Sequence, residues 1–198
     1  MFGATWEARA QDTKILYASM APLEHYLMPD RNEEIKLTRN AAPDSISGHA
    51  EVLVFGRHGS ETAVQGKNGF VCDVERSWTA GIDDPDFWNP KLRAPICFSA
   101  PVARSYLPRT IKKTELVIAG RTKTQMFDTI AAAIDKKELL APEPGAMCYM
   151  MSKQDYLNDR DGHWRPHLMF SFRKPIPKSG AQIFQARQLS RLKTLRSI

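Results

Sequence analysis

The stretch Ala50-Glu51-Val52-Leu53-Val54-Phe55-Gly56-Arg57-His58-Gly59-Ser60-Glu61-Thr62-Ala63-Val64, running on through Gly66-Lys67-Asn68-Gly69 to Phe70-Val71-Cys72-Asp73-Val74-Glu75, decides the fold. From Ala50 the side-chain period is two. Val52–Phe55 reads as a strand, Arg57–Ser60 with Gly59 as a turn, and Glu61–Val64 as the strand that pairs back. Lys67-Asn68-Gly69 reads as a second turn, because Asn-Gly takes positive φ at little cost. Phe70, Cys72 and Val74 then share one strand face and Val71, Asp73 and Glu75 the other. The expectation is a three-stranded antiparallel meander.

Working outward, Leu23, Tyr26 and Leu27 fit a helical face that Pro29 interrupts. Asp30 with Glu33 reads as a capping box, opening a helix that carries Ile35 and Leu37 and ends near Asn40. Residues 42–48 have loop chemistry. Residues 78–95 read as one long loop, rich in Asp and Pro and pinned by Trp78, Phe87 and Trp88. Ser99 caps a short helix with Pro101 in its first turn, stopped by Pro108. Thr122 with Gln125 forms a second capping box, and the helix behind it sets Met126, Ile130 and Ile134 on one stripe. Met147–Met151 alternates as a strand, residues 152–166 are a polar connection, and His167–Phe172 is a further strand that makes a C-terminal hairpin. The predicted class is α+β: an antiparallel sheet (three-stranded meander plus a C-terminal hairpin) with three or four helices, in a single domain over residues 1–172.

The 198 residues carry 42% apolar and 25% charged side chains, the proportions of a globular chain. No apolar run exceeds the six residues of Ala146–Met151, far short of the roughly twenty that a membrane-spanning helix needs. The net charge of +6 is unevenly placed: residues 173–198 hold seven basic residues and no acidic one, against 21 Lys/Arg and 22 Asp/Glu in residues 1–172. The body therefore lacks the basic face of a nucleic-acid-binding domain, and no specific nucleic-acid partner is expected. The tail has no clean amphipathic face and reads as a solvated, mobile segment. Met1–Gln11 has no apolar core, so no signal peptide is read in this chain.

Several residues have types that could carry chemistry. Cys72, Cys97 and Cys148 show no CxxC and no zinc spacing. Three readings of Cys72 stand: a buried core thiol, favoured by its place between Phe70 and Val74; a nucleophile served by His163 or His167; or a disulfide, with Cys97 the partner best able to reach it. His163 and His167 would face one side of a strand and could ligate a metal, with Cys72, His58, Asp159 or Asp161 as a third ligand. The run from Asn158 to Gly162 is only faintly like a calcium loop, since Met169 stands where the twelfth-position Glu belongs. Asp83, Asp84 and Asp86 read as turn formers rather than as acid–base carboxylates. Met147–Met151 with Met169 reads as core before ligand pocket. No P-loop, GxGxxG, GxSxG or HExxH occurs, and no cofactor is expected.

Three segments, Gly66–Cys72 running on to Glu75-Arg76, Cys148-Tyr149-Met150-Met151-Ser152, and Gly162-His163-Trp164-Arg165-Pro166-His167-Leu168-Met169-Phe170, with Met20-Ala21-Pro22-Leu23-Glu24, resemble a family of small bacterial proteins. Those proteins usually carry an export signal and have no established activity. The resemblance spans about residues 20–172. It implies a periplasmic or secreted location and no catalytic residues. After Phe172 the chain departs from that pattern, with the change of composition that a shifted reading frame or replaced terminus produces. The expectation is thus a non-catalytic envelope or secreted protein that binds a small ligand or a protein partner. The alternative is a Cys/His-dependent enzyme or metal-binding protein using Cys72 with His163 or His167.

Overall fold

A computed structural model describes residues 17–141, 143 and 145–170. The basic segment 173–198 lies outside them. Eleven elements follow in chain order: α1 (Arg31–Arg39), α2 (Asp44–Ser47), β1 (Glu51–Gly56), β2 (Gly59–Val64), β3 (Val71–Glu75), β4 (Ala94–Phe98), α3 (Ala100–Ser105), α4 (Leu107–Ile118), α5 (Lys123–Asp135), β5 (Met147–Met150) and β6 (His167–Phe170). The class is α+β. The six strands form one mixed sheet in the order β2-β1-β3-β4-β5-β6.

The meander expected for residues 50–75 is replaced by a different path. β1 and β2 pair antiparallel as expected, but β3 runs parallel to β1, on its other side, with Glu51 opposite Val71 and Val52 opposite Cys72. Burial explains the order. Val52, Leu53, Val54 and Phe55 are all buried, so β1 has a covered layer on both faces and belongs inside the sheet. β2, with exposed Ser60, Glu61 and Thr62, suits an edge. Residues 65–69 carry the chain back across the end of β1, with the Lys67 N–H donating to the His49 carbonyl and the Glu51 N–H to the Phe70 carbonyl. Gly66 allows this crossing, because a Cβ there would lie 2.3 Å from the Glu51 nitrogen. The Asn68 amide donates to the Ile46 carbonyl at 2.7 Å, so Asn-Gly anchors a crossover rather than a hairpin.

β4 overlaps the expected long loop only at Ala94 and Pro95, and no element was expected at residues 96–98. It runs antiparallel to β3 with all five residues buried. Pro95 is tolerated because β5 pairs only with Cys97 and Phe98, leaving Pro95 beyond the end of that ladder. β5 and β6 form the expected C-terminal hairpin. Pro108 does not end the helical region: α3 stops at Ser105, and Pro108 occupies the first turn of the unexpected α4. Five helices therefore lie among the described residues, rather than three or four.

The two sheet faces have separate cores. On one, Cys72, Cys97, Phe70 and Tyr149 pack on Ala41, Ala42 and Ile46 around α1 and α2. On the other, Leu53, Ile96, Phe98, Cys148 and Met150 pack on Val102 and Leu107 of α3 and α4. A third cluster gathers Tyr26, Phe55, Trp78, Phe87 and Trp88 on Leu116, Val117, Met126 and Ile130, so the aromatic residues do pin the 77–93 connection. Ile134 departs from the expected α5 stripe and is 41% exposed.

Of the three capping residues expected, Asp30 and Thr122 act as caps, Asp30 by accepting from Asn32 rather than through a box with Glu33. Ser99 heads α3 without a side-chain cap, its Oγ accepting the Met147 N–H at 3.1 Å. Asp30 accepts the Asn32 N–H at 2.8 Å. Thr122 accepts the Gln125 N–H at 3.3 Å while the Gln125 side chain takes the Thr122 N–H at 3.0 Å. Thr122→Ala is expected to cost about 1 kcal/mol, read as a lower urea midpoint at unchanged m-value.

Candidate functional site

The sulfur at position 72 is held in a disulfide to Cys97, its direct cross-strand neighbour on β4. Both residues are fully buried. Cys72 is thus in the core, as its flanking residues indicated, but as half of a cystine rather than as a thiol. Cys148 is the free cysteine among the described residues. It faces the opposite side of the sheet, where burial, with help from Glu75 and Asp73, pushes its thiol up to about 12. A thiol so raised is almost wholly protonated at neutral pH and is a poor nucleophile.

The histidines are not brought to Cys72. β3 and β6 are three strand spacings apart, about 14 Å across the sheet. His163 lies before β6 with its Nδ1–H donating to the Asp155 main-chain carbonyl, and its side chain is 63% exposed. His167 Nδ1 donates to the Arg165 carbonyl at 2.7 Å, and its ring meets the Trp164 edge. His58 lies in the β1–β2 turn, toward the opposite edge of the sheet. Asp159 is taken up by Lys91 Nζ at 2.8 Å and by the hydroxyls of Tyr17 and Tyr156, and Asp161 by Arg160 and Asn158. Among the described residues no group of three or more His, Cys, Asp or Glu side chains could hold a metal ion.

Asp84 and Asp86 are turn formers: Asp84 accepts the Asp86 N–H and Asp86 accepts the Asn89 amide, with exposed Asp83 before them. Met150 is core, whereas Met151 and Met169 are exposed, so the methionines do not close around one hollow.

What the fold does assemble is a buried ionic cluster at the end of β3. Arg76 donates through Nε to the Tyr26 carbonyl at 2.8 Å, through Nη1 to the Val74 carbonyl, and through Nη2 to Glu34 Oε1 at 2.8 Å. The same Glu34 oxygen accepts the Phe55 N–H at 3.0 Å, tying α1 to β1 and β3. The Arg76 guanidinium also lies 5.2 Å from the centre of the Phe55 ring. Both side chains of this ion pair are almost fully buried, at 2% and 3% exposure.

Beside it, Asp73 and Glu75 share the β3 face that the strand period indicated. Thr110 of α4 donates to Glu75 Oε1 and Thr79 to Oε2, each at 3.3 Å. Lys113 of α4 reaches the Thr79 and Ala80 carbonyls at 2.8 and 2.9 Å. A cavity of about 20 Å³ lies between them, lined by Leu53, Phe55, Asp73, Glu75, Thr110 and Thr114 among others. Asp73 Oδ1 is buried without a hydrogen-bond partner. Burial, reinforced by the charge of Glu75, raises the Asp73 carboxyl well above the usual carboxylate range. Burial likewise pushes Glu75 up to about 7, against the pull of Lys113, Thr110 and Thr79. The Lys113 ammonium is pushed down to about 8 by burial, with Arg109 adding to the effect.

Strand periodicity alone sets Asp73 and Glu75 on a common face but assigns them no role. The missing information was α4, whose inward Thr110, Lys113 and Thr114 obscure its apolar stripe. Comparison with protein-family models, curated proteins and solved structures returns no match.

Proposed function

We propose that this chain is a non-catalytic protein of the bacterial envelope or extracellular space, acting by binding a protein partner or a small ligand. The observation that carries the reading is the Cys72–Cys97 bond. Disulfides persist in oxidising compartments and are rare where glutathione and thioredoxin keep thiols reduced. The resemblance of residues 20–172 to usually exported proteins points the same way.

The alternative, a Cys/His enzyme or metal protein, has less support. Cys72 would need reduction before it could attack or ligate, and His163 and His167 stand at the far side of the sheet. An open hollow of about 360 Å³ lies between α4 and α5, bordered by Lys112, Leu116, Arg121, Gln125, Asp128 and Thr129.

Trapping free thiols in intact source cells with an alkylating reagent, then fractionating and measuring the mass, tests the proposal. The expected result is protein in the envelope or medium with no label in the folded state and one label, on Cys148, after unfolding. Recovery from the cytosol with three labelled thiols would overturn it.

A further inference from the structure

We infer that Asp73 and Glu75 form a proton-binding site, holding one proton between them at neutral pH around a single water in the cavity against α4. Two observations carry this. The first is the unpartnered Asp73 Oδ1: Asp73 is only 8% exposed, and it lines the cavity. A bare carboxylate oxygen in that position would forfeit its hydration without replacement, whereas a protonated carboxyl is neutral and can donate. The second is space. About 20 Å³ accommodates one water and nothing larger, and two side chains at alternate strand positions stand far enough apart for a water to bridge them.

The charged groups around the cavity are Glu34 from α1, Asp73 and Glu75 from β3, Arg76 at the end of β3 and Lys113 from α4, with Arg93, just before β4, acting on Arg76 and Glu34 from a half-buried position. Arg109 of α4 is half-buried and acts on Lys113 and Tyr106, with solvent serving its charge; the Tyr106 phenol and the Cys148 thiol of β5 are neutral and are pushed further from ionising by Glu75.

A carboxyl whose folded pKa lies above its unfolded value stabilises the fold below the unfolded pKa and loses that contribution as pH rises through the folded one. For Glu75 the window runs from the ordinary carboxylate range to about 7. Lys113 has the opposite sign, its folded value near 8 making stability rise again above that pH. The wild-type urea midpoint should therefore fall between pH 4.5 and 7. The unfolding constant should change by up to about tenfold per pH unit for each proton that only the folded state retains.

The decisive measurement is proton release on unfolding the full chain with urea at pH 6.5 in weak buffer, followed with an indicator dye, for wild type, Asp73→Asn and Glu75→Gln. Wild type is expected to release about one proton more than Asp73→Asn, and Asp73→Asn should show a flatter pH profile. Equal release from both proteins, or parallel pH profiles, would overturn the site, and zero release from wild type does so even if the variants fail to fold. A rise in the wild-type midpoint at pH 7 with sodium chloride, absent with choline chloride at equal ionic strength, would replace the proton by a metal cation and also refute it.

Discussion

Arg76→Met is expected to destabilise the protein by about 3–5 kcal/mol, the range for removing one partner of a buried ion pair. The substitution deletes three hydrogen bonds, to Glu34, Tyr26 and Val74. The larger effect is on what remains: the Glu34 carboxylate, 3% exposed, would keep only the Phe55 N–H. Methionine fills much of the arginine volume, so the loss reflects charge and hydrogen bonding more than a void. Adding Glu34→Gln should recover a good part of it, because the glutamine oxygen still accepts from Phe55 and no unpaired charge is left. Urea unfolding followed by tryptophan emission reads this directly, since Trp78 packs on both Tyr26 and Phe55. A cost below about 1 kcal/mol for the single variant would mean that water reaches the pair and screens it as it does a surface ion pair.

Replacing both Cys72 and Cys97 by alanine is the second large effect. The bond joins residues 25 apart, and a closed loop of that length restricts the unfolded chain by about 3.5 kcal/mol in the chain-entropy account. The two cysteines are fully buried against Ala41, Ala42 and Ala50, so the missing sulfurs add a packing loss of the same sign. For a chain of this size the melting temperature should fall by about 7–14 °C. Wild-type protein unfolded in strong reductant should lose a comparable amount. Stability that is indifferent to reductant would mean the bond does not form, and the case for an oxidising compartment would go with it.

The two results bear on different parts of the molecule. The disulfide fastens β3 to β4 on the α1–α2 side, while the Arg76–Glu34 pair fastens the end of β3 to α1. Because the sites share no side chain, their effects are expected to add within about 0.5 kcal/mol if they do not couple through β3 itself. A double variant measures that coupling. A markedly smaller sum would show that β3 loosens as one unit.

Much of the local structure was legible in the sequence because short-range rules dominate there. Asp30 and Thr122 announce α1 and α5 through hydrogen bonds that close within three residues. Val52–Phe55, Val71–Glu75 and Met147–Met150 show as strands through their own composition and period. That Asp73 and Glu75 face together, and that Cys72 lies inward with Phe70 and Val74 flanking it, also follows from strand geometry alone. The connections were less legible. Residues 65–69 look the same whether they close a hairpin or cross beneath Ala50 and Glu51, and Pro108 looks the same whether it stops one helix or begins the next.

By itself, then, the sequence determined the α+β class, the two capped helices, the β5–β6 hairpin and the inward direction of Cys72. Only the tertiary structure decided that β3 lies beside β1 rather than β2, that β4 sets Cys97 against Cys72, and that α4 closes over Asp73 and Glu75. The physical reason is that periodicity and capping are settled among neighbours a few residues apart. Strand order, cystine pairing and the desolvation of a carboxyl depend on which distant surfaces meet, and those are set by the burial of both faces of β1 together.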